Sequence, residues 1–213
     1  MITYLQDHFQ QTVDRFLTHA WLALLPLAVG LLLAIPLGWL ASRYRWLYPG
    51  LINLAGLLYT LPSVALFVIM PSIIHTKILS PVNVLVALTI YTVALLVRVI
   101  ADALIAVPAD VRAAAVAMGF TGPGRFLRVD LPIAVPVIVA GLRVAAASNV
   151  GLVSVGALIG VNQLGSLFTE GFTLDVGSVV LLGILLCVLL ALIVDGAIVL
   201  AGRRLTTWQR AGA

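Results

Sequence analysis

Five stretches of this chain run for about twenty residues or more with almost no charge, each long enough to cross the hydrocarbon core of a bilayer. They are residues 20–40, 51–74, 78–97, 131–158 and 176–202. Inside lipid no water is available to the backbone, so a spanning segment must be a helix or part of a closed barrel. Blocks this long and this apolar predict helices, and so an all-α integral membrane protein of about five spans. Composition agrees, since 62% of the 213 residues are hydrophobic and only 9% charged. A soluble globular domain carries far more charge. The blocks recur to the end, so residues 20–213 read as one membrane domain.

Residues 1–19 are polar and mixed in charge, with no basic start leading into a short apolar core, and do not read as a cleavable signal peptide. Leu5, Phe9, Val13, Phe16 and Leu17 fall roughly on one helical face. The segment is therefore expected to be an amphipathic helix lying along the membrane surface on the outer side. Pro26 and Pro36 are expected to bend the first span, and Pro62 and Pro71 interrupt the second. Residues 151–168 carry glycines, serines and an Asn-Gln pair. They fit either the end of span four with an external loop or a re-entrant piece lining a cavity.

Basic residues gather on the cytoplasmic side of membranes. With the N-terminus outside, Arg43, Arg45, Arg112, Arg125, Arg128, Arg203, Arg204 and Arg210 are all cytoplasmic, against Arg15 and Lys77 outside. The excess of 12 Lys/Arg over 8 Asp/Glu thus marks loops and not nucleic-acid binding. This orientation places residues 108–136, PADVRAAAVAMGFTGPGRFLRVDLPIAVP, in the cytoplasm.

That stretch is the one long segment that is neither span nor plain loop. Pro108 and Asp110 suit a helix start, and residues 112–118 have high helix propensity with little bulk. Gly119 can take the left-handed conformation that ends a helix. A turn, Thr121-Gly122-Pro123-Gly124, precedes a short helix around Arg125–Val129 that alternates charge with apolar bulk. From residues alone this is either a docking element rimmed by arginines or an ordinary basic loop.

Ionisable groups within spans are costly and face a bundle interior or water. Starting span four at Pro132 puts Arg143 about 16 Å along it at 1.5 Å per residue. Asp195 is its candidate partner, tying spans four and five; water and backbone carbonyls satisfying each separately is the alternative. Tyr59, Thr60, Ser63, Ser148, Asn149 and Ser154 could line a substrate path, or serve as interhelical glue. The three histidines lack carboxylate or cysteine neighbours at ligand spacing, so no metal site is expected. No GxxxxGK[ST] sequence is present, and no nucleophile–base constellation. The single Cys187 excludes an intrachain disulfide.

Ala113-Ala114-Ala115, three residues, Gly119, nine residues, Val129, Asp130 and Leu131-Pro132 resemble the cytoplasmic signature of ABC importer permeases. That signature reads Glu-Ala-Ala, three residues, Gly, nine residues, Ile, one residue, Leu-Pro. Every spacing holds; Ala113 stands where the family has Glu. Further along, Ala34-Ile35-Pro36-Leu37-Gly38, Tyr59-Thr60-Leu61-Pro62-Ser63 and Leu131-Pro132-Ile133-Ala134-Val135-Pro136 resemble permeases of glycine betaine/carnitine/choline importers. Where those commonly show Ile-Gly-Ala-Gly-Gly-Leu-Gly, this chain has Ile159-Gly160-Val161-Asn162-Gln163-Leu164-Gly165, which leaves the substrate open.

The resemblance implies a type I ABC importer permease fold with a cytoplasmic coupling helix in the region 108–132. It implies a role in coupling to the ATPase for Arg112, Ala113, Ala114, Ala115, Gly119, Arg125, Leu131 and Pro132. It implies a second permease chain, an ATP-binding subunit that holds ATP and Mg, and an external substrate-binding protein. This chain itself would bind no cofactor and catalyse nothing, and would sit in a bacterial cytoplasmic membrane. Two alternatives stand beside it: an ABC permease for another small polar solute (an amino acid or sulfonate), and a secondary transporter working without ATP. The absence of an internal repeat disfavours the latter.

Overall fold

A computed structural model describes residues 2–207, with side chains from Tyr4 onward; Arg210 lies outside the described residues. Every regular element among them is helical. In chain order these are α1 (Ile2–Asp7), α2 (Phe9–Arg43), α3 (Leu47–Thr60), α4 (Ser63–Ile74), α5 (Pro81–Ile105), α6 (Ala109–Ala117), α7 (Gly122–Arg125), α8 (Leu131–Val155), α9 (Ser166–Thr173) and α10 (Gly177–Leu205). A π-helical turn (Phe126–Asp130) joins α7 to α8, and a 3-10 turn (Gly156–Ile159) follows α8. Four helical stretches are long and apolar enough to cross a membrane, and α3 with α4 makes a fifth when counted as one broken span.

The core is built on α5. Val84, Ala87, Leu88, Leu96, Ile100 and Ala101 are fully buried there. Against it lies α2, through a line of small residues: Ala23, Gly30, Ala34, Gly38 and Ala41. Lipid supplies no hydrophobic drive between helices, so close backbone approach over small residues has to hold them together. A Cβ placed on Gly30 would stand 2.4 Å from Thr92 Cγ2, and one on Gly38 would stand 2.6 Å from Ile100 Cγ2. Asn149 of α8 locks the third member in. Its amide donates to Thr92 Oγ1 at 3.0 Å and to the Ala23 carbonyl at 3.3 Å.

Three expectations are corrected. First, α2 runs straight through the boundary drawn between residues 19 and 20, so residues 9–19 are no separate surface helix. The face turned inward is the polar one, Thr12, Arg15 and His19, while Phe9 and Leu17 point outward. In a membrane the apolar face can meet lipid, and the polar groups need protein partners. They find them: Arg15 Nη1 and Nη2 reach Glu170 at 2.8 and 2.5 Å, and Tyr4 donates its hydroxyl to the same carboxylate at 3.0 Å. The Arg15 guanidinium holds the Glu170 carboxyl below its ordinary pKa.

Second, Pro62 breaks the block 51–74 as expected, with α3 and α4 meeting at 103°, but Pro71 lies inside α4 and does not interrupt it. Leu61 precedes Pro62, whose ring excludes the helical conformation from the residue before it, and both adopt extended backbone. The Tyr91 hydroxyl of α5 donates to the Leu61 carbonyl freed by this break. Third, the short surface helix expected around residues 125–129 is the lower end of the fourth span itself, since helix continues from Gly122 to Ile159. Leu131 N–H bonds the Phe126 carbonyl five residues back, one position ahead of Pro132, which has no N–H to give. The 151–168 segment resolves into the end of α8, the 3-10 turn and a loop folded back to α9, with Val161, Gln163 and Leu164 buried.

The α2–α5 contact gives a direct test. Gly38→Leu is expected to overpack it by about 1–3 kcal/mol, lowering the thermal midpoint measured by fluorimetry in detergent. Gly56→Ala, at a position where a Cβ meets nothing within 4 Å, is expected to leave that midpoint in place.

Candidate functional site

The elbow formed by α6, α7 and the π turn follows from its sequence residue by residue. α6 ends at Met118, Gly119 takes φ +86°, Gly119 N–H bonds the Val116 carbonyl at 2.9 Å, and Phe120 N–H bonds the Ala115 carbonyl at 3.0 Å. This pair of reversed bonds is the Schellman stop, and it needs a residue at ease with positive φ. Ala115 is buried, while Ala113, Ala114, Val116, Ala117 and Met118 are exposed. The outward face of α6 is therefore made mostly of small apolar side chains, with Val116 and Met118 larger and Asp110 exposed in its first turn. Leu127 and Arg128 are exposed beside it, and Leu131 and Pro132 are half-buried at the foot of α8.

Arg112 and Arg125 turn inward. Both address Asp130, a carboxylate buried at the base of α8: Arg125 Nε donates to Oδ2 at 3.1 Å, and Arg112 Nε stands 3.6 Å from Oδ1. Arg112 Nη2 also donates to the Leu104 carbonyl at the end of α5. One carboxylate thus joins α6, the end of α5 and the start of α8. Phe126 packs on Trp39 of α2, ring centroids 5.5 Å apart, which adds a fourth helix. Sequence reading assigned Asp130 no role. The available signal was an acidic residue inside a basic stretch, bracketed by two arginines.

The six pathway candidates do not act as one set. Tyr59 and Thr60 are exposed and Ser63 half-exposed at the α3–α4 break, where Tyr59 meets Tyr91 edge-on at 5.9 Å. Asn149 is buried among α2, α5 and α8, the placement of interhelical glue. Ser148 is half-buried. Ser154 lies 3.7 Å from Cys187 Sγ and lends its carbonyl to Gln163. Gln163, one of the residues by which the 159–165 loop departs from the resembled pattern, is fully buried: it faces His19 Nδ1 at 2.9 Å and donates to the Val153 carbonyl at 3.0 Å. Arg143 and Asp195 form a two-pronged pair, Nε to Oδ1 at 2.5 Å and Nη2 to Oδ2 at 2.9 Å. Among the described residues no cluster of three or more His, Cys, Asp or Glu could hold a metal.

This arrangement of broken second span, central α5 and protruding elbow is the fold of an ABC importer permease. The inward-facing MetNI methionine ABC transporter contains a chain that superposes with a TM-score of 0.80 at 20% identity, covering 94% of this chain and 98% of that one. A chain of an amino acid ABC transporter with histidines superposes at 0.73 with 14% identity, covering 96% and 98%. The family model for "binding-protein-dependent transport system inner membrane component" matches residues 23–207, and the chain belongs to that family. It is 32% identical to the osmoprotectant import permease protein OsmW of Salmonella typhimurium, over 91% of each chain. It is 25% identical to the glycine betaine/carnitine/choline transport system permease protein OpuCB of Bacillus subtilis, over 97% of this chain and 94% of that one.

Asp130→Asn removes the counter-charge from two guanidiniums that the fold brings together. In a reconstituted complex it is expected to lower solute moved per ATP hydrolysed several-fold while the complex still assembles. Gly119→Val, carrying about 1–2 kcal/mol of left-handed strain, is expected to cripple uptake with membrane insertion intact. Unchanged transport per ATP in both variants would remove the elbow from the coupling path.

Proposed function

We propose that this chain is the permease of an ATP-driven importer for quaternary-amine osmolytes of the glycine betaine, choline, carnitine and proline betaine type. It forms the translocation pathway with a second permease chain, the same or a sister. An ATP-binding subunit beneath it binds ATP with Mg, and an external binding protein delivers the solute. The N-terminus lies outside and the C-terminus in the cytoplasm, a reading supported by the distribution of Arg43, Arg45, Arg112, Arg125, Arg128, Arg203 and Arg204. In this orientation the exposed face of α6 protrudes toward the ATP-binding subunit.

The mechanism follows from the elbow. A small-residue helix lets a partner's groove approach the backbone closely, so α6 seats as a rigid peg. Closure of the ATP-binding subunits displaces the peg. Asp130 passes that displacement to α8 through Arg125 and to the end of α5 through Arg112, so the spans tilt as a body between inward- and outward-facing states. The single observation that carries this reading is the exposed, Schellman-stopped α6 held by a buried carboxylate to two spans. The relatives named for osmoprotectants and for glycine betaine, carnitine and choline support the choice of cargo.

Reconstitution with the ATP-binding subunit and binding protein in proteoliposomes tests it. Uptake of labelled glycine betaine should require ATP and be competed by choline or carnitine. Uptake without nucleotide, or competition by amino acids or sulfonates alone, would overturn the assignment.

A further inference from the structure

Among the described residues two ion pairs on the spans are open, Arg98–Asp102 toward the end of α5 and Arg143–Asp195, and the latter lies farther from the helix ends. Counted from Leu131 and Leu205 as the points of entry into the bilayer, Arg143 lies twelve residues and Asp195 ten along its helix, about 18 and 15 Å deep at 1.5 Å per residue. Both depths fall near the middle of a hydrocarbon core about 30 Å thick. Yet the side chains are 47% and 37% exposed. An ion pair at that depth does not face lipid, where charge is strongly disfavoured. Its open side faces water or another polar group.

The pair is also incompletely satisfied. A guanidinium has five N–H donors. Nε and Nη2 engage Asp195, and among the described residues nothing accepts from Nη1. The surroundings leave room for an approaching molecule: a Cβ on Gly196, next to Asp195, would meet nothing within 4 Å. A pocket of about 210 Å³ adjoins Arg143, walled by Val139, Ala140, Val199 and Gly202 and reaching Arg203 and Thr206 at the end of α10. The other intramembrane polar groups contrast with it. Asn149, Thr92, His19 and Gln163 are sealed and bonded to one another or to backbone carbonyls.

We propose that Arg143 and Asp195 form a transient station for the cargo inside the pathway, made for a solute that carries both charges. A zwitterion brings a carboxylate to the free donors of Arg143 and an ammonium toward Asp195. The protein pair loosens as the solute enters and closes again when it leaves. The charges are thus balanced at every step, which keeps the site hydrated and weakly binding, as a conduit requires. This deepens the cargo reading above and rests on it.

The test compares two probes in the full reconstituted complex: glycine betaine, which carries both charges, and choline, which carries only the cation. Arg143→Gln is expected to lower the betaine-to-choline uptake ratio about tenfold, the worth of one charge-assisted hydrogen bond, and Arg143→Lys is expected to restore part of it. Asp195→Asn is expected to weaken uptake of both probes. Size-exclusion chromatography of each variant monitors assembly. An unchanged ratio in Arg143→Gln overturns the station while leaving the cargo reading intact. Parallel loss of both probes with disassembly assigns the pair to subunit contact and overturns it too. A wild-type complex that carries neither probe overturns the cargo reading, and this inference with it.

Discussion

A single buried carboxylate sets the geometry of the elbow to which we assign coupling. Asp130 stands where α8 leaves the π turn, and two arginines reach it from opposite sides of the elbow. Removing one partner from a buried charge cluster is far more disruptive than its gross attraction suggests, because the remaining charges are left stranded. The elbow therefore depends on Asp130 standing in place between the two guanidiniums. Arg112 Nε and Asp130 Oδ1 stand 3.6 Å apart, and neither atom has a hydrogen-bond partner among the described residues. Ala113 stands where the resembled signature carries a glutamate, so the exposed face of α6 keeps only Asp110 as a charge, and the carboxylate that holds the elbow lies seventeen residues on.

The same requirement, that polar groups within a bilayer find protein or water, explains the rest of the molecule. Where a group is buried, it ties helices together: Arg15 with the part-exposed Glu170, His19 with Gln163, and Asn149 with Thr92. These contacts fasten the first half of α2 to the loop after α8 and to α5. Small residues complete the work by letting α2 lie against α5 almost backbone to backbone. The Arg143–Asp195 pair is left open instead, and in the proposal made for it that pair lines the wall the solute passes.

Much of this was legible in the sequence, for identifiable reasons. Span positions followed from hydropathy, because lipid imposes length and apolarity directly on each helix. The end of α6 was legible because only one residue type takes φ +86° without strain, and Gly119 stands there. The pairing of Arg143 with Asp195 was a natural candidate, since few other charges share that depth. What was hidden depended on tertiary partners. Periodicity at residues 5–17 cannot tell an apolar face turned to the membrane surface from one turned to surrounding lipid, and the answer lay in Glu170, 155 positions from Arg15. Pro62 announced a break but not its 103° angle, where the Tyr91 hydroxyl donates to the exposed Leu61 carbonyl. Asp130 sat in plain view inside the motif, and its role emerged only when Arg112, eighteen residues away, folded back on it.

Distance measurement between spin labels reads the central claim most directly. Labels at Ala114 on α6 and Ala140 on α8 in the assembled complex report whether the elbow and the span move as one body. The α6-to-α8 distance should be the same with and without ATP, while the distance from α6 to its counterpart across the pathway changes. An α6 that shifts against α8 on ATP binding, with α8 at rest, would contradict the account.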